Sequence, residues 1–255
     1  MGYGRTMKKT IKSVLNFVIG AFIVLALWYI AHLALDTRVL PSPFAVIREL
    51  PSLLVRDMLI HVSHSAYRVF MALFFSMLIG LFLGIAAAGR NMLSRALTAF
   101  LYFTYPIPRV ALLPVVLLLF GLTDMSKIIM ICLIVIYPII IVVRDSVGDI
   151  PKEVYNTLIC HGARKHQIFI YVTLPWALSS ILSTARISLG TAFSILFFTE
   201  AYGARQGIGF YILDAWMRLN YVQMYAGIVV MSMAGFVLFV LIDIVENTAL
   251  KWKRV

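Results

Sequence analysis

Three arginines of this 255-residue chain, Arg68, Arg109 and Arg186, fall inside or at the edge of long apolar runs, and the acid Glu200 stands at the end of one. A charged side chain in hydrocarbon is costly, so each is a candidate to line a solute pathway. An arginine facing such a pathway would attract an anion. The alternative is packing: Arg68 would snorkel to the surface, and Arg186 would pair with a backbone carbonyl or with Glu200. His61 and Ser65 lie one helical turn apart and suit either the mouth of a cavity or a capping role. Reaction chemistry does not assemble. There is no CxxC or HExxH, the five histidines are scattered, and the 11 acidic residues lie mostly at loop ends. No metal set, nucleophile–base pair or carboxylate pair stands out, and no cofactor is expected. Cys132 and Cys160 read as inert small residues. With no Gly-x4-Gly-Lys-Ser/Thr, the chain has no phosphate cradle of its own.

The elements that carry these residues belong in a membrane. Of the residues 62% are hydrophobic and only 13% charged, against about 25% charged in a soluble domain. That leaves too little polar surface to cover a soluble helical core of this size. Ser13 to Leu35, Val69 to Ala88 and Val222 to Ile242 carry no charge at all. Ala96 to Leu122 is interrupted only by Arg109, and Leu174 to Thr199 only by Arg186. Ile128 to Val143 is shorter, with Lys127 and Arg144 free to snorkel at its ends. An all-α membrane protein with six transmembrane helices follows, because lipid offers open backbone groups no partner. The first run is too long for a signal-peptide core and lacks a small-x-small cleavage site, so it reads as a span. Most of the 22 lysines and arginines fall on one side when both termini are cytoplasmic, which sets the orientation. The net charge of +11 is then membrane-face charge and implies no nucleic acid.

Along the chain, residues 1–12 form a basic cytoplasmic tail and 13–35 the first span. Residues 36–60 are external, where Ser42 can cap a helix with Pro43 at its first position. Residues 44–57 suit a helix lying on the membrane surface. Residues 61–250 hold five more spans, and 251–255 form a short cytoplasmic tail. In the second span Gly80 and Gly84 are spaced for close helix contact. The third contains Pro106, Pro108 and Pro114 and must be kinked or interrupted, as helices lining a pathway often are. An external loop holds Gly203, Gly207 and Gly209.

Between the fourth and fifth spans lies the long inside segment, 149–173. Lys152 to Cys160 reads as a short helix with Val154, Leu158 and Ile159 on one side. Gly162 ends it or lets a partner approach. A second short helix leads to Leu174-Pro175, with Pro175 opening the fifth span. Such a piece is either an ordinary amphipathic loop or a docking element for a cytoplasmic partner.

Gly162, Val172, Leu174 and Pro175 form Gly-x9-Val-x-Leu-Pro. This resembles the coupling-loop motif of ABC importer permeases, Glu-Ala-Ala-x3-Gly-x9-Ile-x-Leu-Pro. Leu40-Pro41-Ser42-Pro43 is similar to the external motif of the nitrate/sulfonate/taurine-type permeases. So are His61-x3-Ser65-x2-Arg68-Val69, Pro108-Arg109-Val110-Ala111-x2-Pro114, and Phe120-Gly121 with Ser126-Lys127-Ile128. The same holds for Glu200-x2-Gly203-Ala204-x2-Gly207-x-Gly209. The resemblance runs in order over residues 39–254. One departure is plain: the Glu-Ala-Ala position falls on Asn156-Thr157-Leu158, and Glu153 lies one turn earlier, out of register.

The resemblance implies a type I ABC importer permease fold with a cytoplasmic coupling helix. It implies two ABC ATPase subunits docked on the inside loops. A second permease subunit, forming a homodimer, and an external substrate-binding protein complete the assembly. Glu153, Asn156, Thr157, Leu158, Gly162, Ala163, Arg164, Leu174 and Pro175 would contact the ATPase. His61, Ser65, Arg68, Arg109, Arg186 and Glu200 would line the translocation pathway. The localisation implied is the bacterial inner membrane. Solute classes in the resembled family run from sulfonates, taurine, nitrate and bicarbonate to vitamin precursors. A secondary transporter or channel without an ATPase also explains the spans but not the inside Gly…Leu-Pro segment. An integral membrane enzyme would need a reactive cluster that the chain lacks.

Overall fold

The computed structural model describes the backbone of residues 3–250 and the side chains of residues 19–250 apart from Ala249. The expected 251–255 tail lies outside the described residues. The described chain is helical throughout: α1 (Tyr3–Leu35), α2 (Pro43–Leu53), α3 (Leu59–Ala88), α4 (Met92–Thr104), α5 (Leu113–Phe120), α6 (Asp124–Gly148), α7 (Lys152–Cys160), α8 (Lys165–Ile168), α9 (Leu174–Ala201), α10 (Ile208–Met217) and α11 (Tyr221–Ala249). Four helical runs are long and apolar enough to cross a membrane, Pro43–Ala88, Asp124–Gly148, Lys165–Ala201 and Tyr221–Thr248. A fifth span is formed if the bent pair α4–α5 counts as one, and Ile19–Leu35 is a shorter apolar stretch.

The local reasons are readable. Ser42 caps α2, its Oγ accepting from Ala45 N at 3.2 Å, with Pro43 in the first turn. The surface helix expected over 44–57 does not end there. Helical hydrogen bonding continues through a widened turn at Leu54–Met58 into α3, so one run covers Pro43–Ala88. Nor does Pro175 open a helix of its own, because the run Lys165–Ala201 is already helical ahead of it. A widened turn at Phe169–Thr173 precedes the proline. It makes room for the missing N–H and the ring, which otherwise clash with the preceding turn. The stretch after Gly207 is not plain loop but the ten-residue helix α10.

The chain divides into two compact units, residues 1–59 with 211–229, and residues 60–210 with 230–255. In the first, Trp28 stacks on Tyr225 at 5.4 Å, and the Phe44 ring meets Tyr29 edge-on at 5.7 Å. His32 Nδ1–H donates to Leu40 O at 2.7 Å. The second unit carries the continuous core, where Val69 and Ala72 of α3, Met130, Ile131, Val135 and Ile139 of α6, and Ala192 and Leu196 of α9 are buried. Lipid is as apolar as these side chains, so close fit rather than water exclusion holds the helices together. Gly80 and Gly84 supply that fit. A Cβ on Gly80 would lie 2.5 Å from Ile139 Cγ2, and one on Gly84 2.5 Å from Val143 Cβ.

The proline-rich run expected to be the third span is broken. α4 and the following Arg109–Phe120 segment meet at 88°. Pro106 and Pro108 remove two backbone donors where the helix would have continued, and Arg109–Leu112 resumes as a tighter 3-10 turn.

Candidate functional site

At one end of the second unit, four elements converge on Glu200 of α9, which is 0% exposed. Its carboxylate accepts from Ser65 Oγ at 2.8 and 2.9 Å, from Arg68 Nη1 at 2.6 Å and from Gly209 N at 2.8 Å. Arg68 of α3 is itself 3% exposed. Its Nε and Nη2 donate to Asp124 Oδ1 at 2.8 and 2.5 Å, and its Nη1 to Gln206 O at 2.7 Å. Ser65 Oγ accepts from Ile208 N at 2.8 Å, and His61 Nδ1 accepts from Gly207 N at 3.0 Å. His61, Ser65 and Arg68 stand on successive turns of α3, so one helix face reads the 206–208 backbone, and Glu200 of α9 takes Gly209 N. A buried pair survives only when its remaining hydrogen-bonding capacity is satisfied, and this one is.

The glycines of the Glu200–Gly209 stretch follow from that geometry. Gly207 has φ +134, and a Cβ there would lie 2.5 Å from both Glu200 carboxylate oxygens. A Cβ on Gly209 would meet Phe197 O at 3.0 Å. Gly207→Ala is expected to lower the melting temperature of the purified chain by about 5 °C or more. An unchanged thermal transition would show that the loop is not gripped in this way.

Asp124, 42% exposed at its side chain, is where the network reaches the surface. It lines an open cavity of about 710 Å³ with His64, Arg205 and Gln206. Asp124 and Lys127 were not among the sequence candidates. Lys127 is 1% exposed and donates to the carbonyls of Thr123 (3.0 Å) and Leu122 (3.3 Å).

Arg186 of α9 does not reach Glu200. It bonds Asp243 Oδ1 at 2.6 Å and also Glu246, both on α11. Ser183 Oγ adds a bond to Glu246 at 3.1 Å.

Arg109 differs from both. Its guanidinium lies over the Tyr137 ring at 3.6 Å and 5.5 Å from that of Tyr105. Its Nη2 donates to Tyr105 O at 3.1 Å and Thr104 O at 3.4 Å, the end of α4. No carboxylate meets it among the described residues; its Nε, like that of Arg186, is buried without an acceptor. Depth follows from helix lengths. α4 has 13 residues, so at 1.5 Å per residue its far end lies about 20 Å along. Tyr137 stands at the middle of the 25-residue α6. Arg109 is therefore the arginine of the three that sits at a helix break, beside the middle of α6, with no acid meeting its charge among the described residues.

At the other end of α9 lies the 149–173 segment. Gly162 has φ +79. Gly162 N donates to Ile159 O at 2.9 Å and Ala163 N to Leu158 O at 3.0 Å, the paired bonds of a Schellman cap that closes α7. Arg164 N donates to the Gln167 side chain at 2.7 Å and so starts α8. Every residue of α7 is exposed or half-buried, and Ile159 (58%) and Tyr171 (73%) leave large apolar groups uncovered. Val154, Tyr171, Val172, Pro175 and Trp176 line a cavity of about 380 Å³ there. Thr157 Oγ1 is turned back onto Glu153 O at 2.8 Å.

Comparison with known proteins gives the family. Residues 76–250 match the family described as binding-protein-dependent transport system inner membrane component. A putative aliphatic sulfonates transport permease protein of Bacillus subtilis (strain 168) is 26% identical over 235 residues, 91% of this chain and 85% of that protein. The taurine transport system permease protein of Escherichia coli (strain K12) is 31% identical over 178 residues, 70% of this chain and 65% of that protein. A formylaminopyrimidine transport permease protein of Halalkalibacterium halodurans is 25% identical, covering 91% of this chain and 93% of that one. Among solved structures, an inward-facing form of the MetNI methionine ABC transporter shares the fold, with a TM-score of 0.60 at 20% identity over 77% of this chain and 96% of that one. The chain thus belongs to the family of binding-protein-dependent transport system inner membrane components, the permease subunits of ABC importers.

Proposed function

We propose that this permease spans the inner membrane six times with both termini in the cytoplasm, pairs with a second copy of itself, and takes its drive from two ATPase subunits. The docking element is the 149–173 segment. The supporting observation is its preformed shape: a helix closed by a Schellman glycine, a second short helix, and a large share of uncovered side chains. Glu153, Asn156, Thr157, Leu158, Gly162, Ala163 and Arg164 form the surface gripped by the ATPase. Leu174 and Pro175 join it to α9. ATP binding draws the two ATPase subunits together, and the segment passes that movement to α6 and α9. ATP acts by favouring one of two gate states.

Gly162→Asp is the test. A Cβ at Gly162 meets nothing within 4 Å, and aspartate tolerates positive φ better than most residues, so the fold bears little of the change. The added charge instead lands on the docking face. Expected is a normal amount of permease in the membrane, uptake reduced about tenfold or more, and weakened co-purification with the ATPase. Full uptake with the ATPase bound as before would remove the segment from the coupling path.

On the pathway, Arg109 is assigned the solute contact. A cation at mid-span without an acid favours a small anion. The solute class is that of the relatives' sulfonates and taurine, delivered by an external binding protein. Phe103, Leu118 and Leu119 flank the break and are strongly exposed, so a second copy is needed to wall Arg109 off from lipid. His61, Ser65, Arg68 and Glu200 hold the external loop at the pathway's outer end. Arg186 ties α9 to α11.

A further inference from the structure

The break at Arg109 is held by one residue from another helix, Tyr137. Its hydroxyl donates to Thr104 Oγ1 at 2.9 Å, and Thr104, the last residue of α4, donates onward to Phe100 O at 2.7 Å. Its ring carries the Arg109 guanidinium at 3.6 Å. Tyr137 thus touches the chain on both sides of the 88° bend. Pro138 follows directly inside α6, so the helix loses one backbone bond beside the contact.

The result is a guanidinium with a fixed back and an open front. Nη2 is spent on the Thr104 and Tyr105 carbonyls, and the aromatic face covers one side. Nε is buried without an acceptor, so among the described residues Nη1 is the nitrogen whose N–H groups stay open. The two N–H groups of Nη1 carry the cation's share of charge and donate charge-assisted hydrogen bonds to an oxyanion. In water an arginine with such freedom would lose rotamer entropy on binding. Here the ring has already removed that freedom.

We propose that Tyr137 is a positioning residue that determines solute specificity, holding Arg109 so that its open N–H groups meet an oxyanion. The inference rests on the reading of Arg109 as the pathway cation. The ring is the essential part and the hydroxyl secondary. A cation–π contact in a desolvated site is strong enough that losing it weakens oxyanion binding about tenfold.

The test uses the full chain in lipid nanodiscs, followed by thermal unfolding. The probe is methanesulfonate, titrated at constant ionic strength, with dimethyl sulfone as a neutral molecule of similar shape. The wild type is expected to be stabilised by methanesulfonate and not by the sulfone. Tyr137→Phe is expected to keep the half-saturating concentration within about twofold. Tyr137→Leu is expected to raise it about tenfold while its melting temperature without anion stays near that of Tyr137→Phe. Arg109→Ala is expected to abolish the response. If Arg109→Ala abolishes it and Tyr137→Leu binds like the wild type, the role of Tyr137 is overturned while the Arg109 reading stands. If methanesulfonate and the sulfone act alike on the wild type, or if Arg109→Ala still responds, both fall.

Discussion

Replacing Glu200 by leucine will strip most of the folded permease from the membrane. The variant leaves Ser65 Oγ, Gly209 N and one arm of Arg68 facing a site that is 0% exposed, with no acceptor in it. Removing one partner of a buried pair costs about 3–5 kcal/mol, against a total folding stability of about 5–15 kcal/mol. The companion experiment separates charge burial from packing. Arg68→Met combined with Glu200→Leu takes out both charges, leaving Asp124, whose half-exposed side chain water can serve. The double variant is expected to accumulate better than Glu200→Leu alone, a coupling visible in a double-mutant cycle. Membrane levels read by immunoblot, with unfolding temperature in detergent, give the measurement. Wild-type accumulation of Glu200→Leu would dismiss the clamp.

Arg109→Ala is expected to do the opposite: near-normal accumulation and uptake lower by about ten- to a hundredfold. Within the protein the substitution removes only a ring-face interaction and two carbonyl bonds at 3.1 and 3.4 Å, and no buried acid is orphaned. In the proposed role it also removes a charge-assisted hydrogen bond to the solute, hence the larger effect on transport. Arg109→Lys keeps the charge but not the planar fork and is expected to recover only part of the uptake. Parallel loss of protein and uptake in Arg109→Ala would assign Arg109 to packing.

These two variants part because three arginines that look alike in sequence have different surroundings. All sit in apolar runs, and that alone made them candidates. Arg68 meets Asp124, 56 positions away, and Glu200, 132 away, while Arg186 meets Asp243, 57 away. Nothing local in the sequence encodes separations of that size. Tyr137 was equally hidden, one aromatic among a composition 13% aromatic. Asp124 did not stand out, because its value as a partner depends on where α6 begins relative to α3. The helix α10 was not legible, since its ten residues follow closely spaced glycines and carry no long apolar run.

Other features needed no neighbours to be read. The spans are visible because each must be apolar along its own length. The third span's break is visible because proline acts on the backbone of its own turn. The Ser42 cap and the Gly162 turn are likewise settled within a few residues, by a side-chain oxygen three positions from its donor and by a left-handed backbone at φ +79. The order of the motifs pointed to the permease family for the same reason.

Sequence alone determined that this is a helical membrane chain with a proline-broken apolar run and a helix–glycine–helix segment before Leu174, since those properties are local to the backbone and its solvent. The tertiary structure alone decided which intramembrane charges are cancelled and which is left open. A charge is cancelled only by what lies within about 4 Å, and in a bundle those neighbours come from distant parts of the chain.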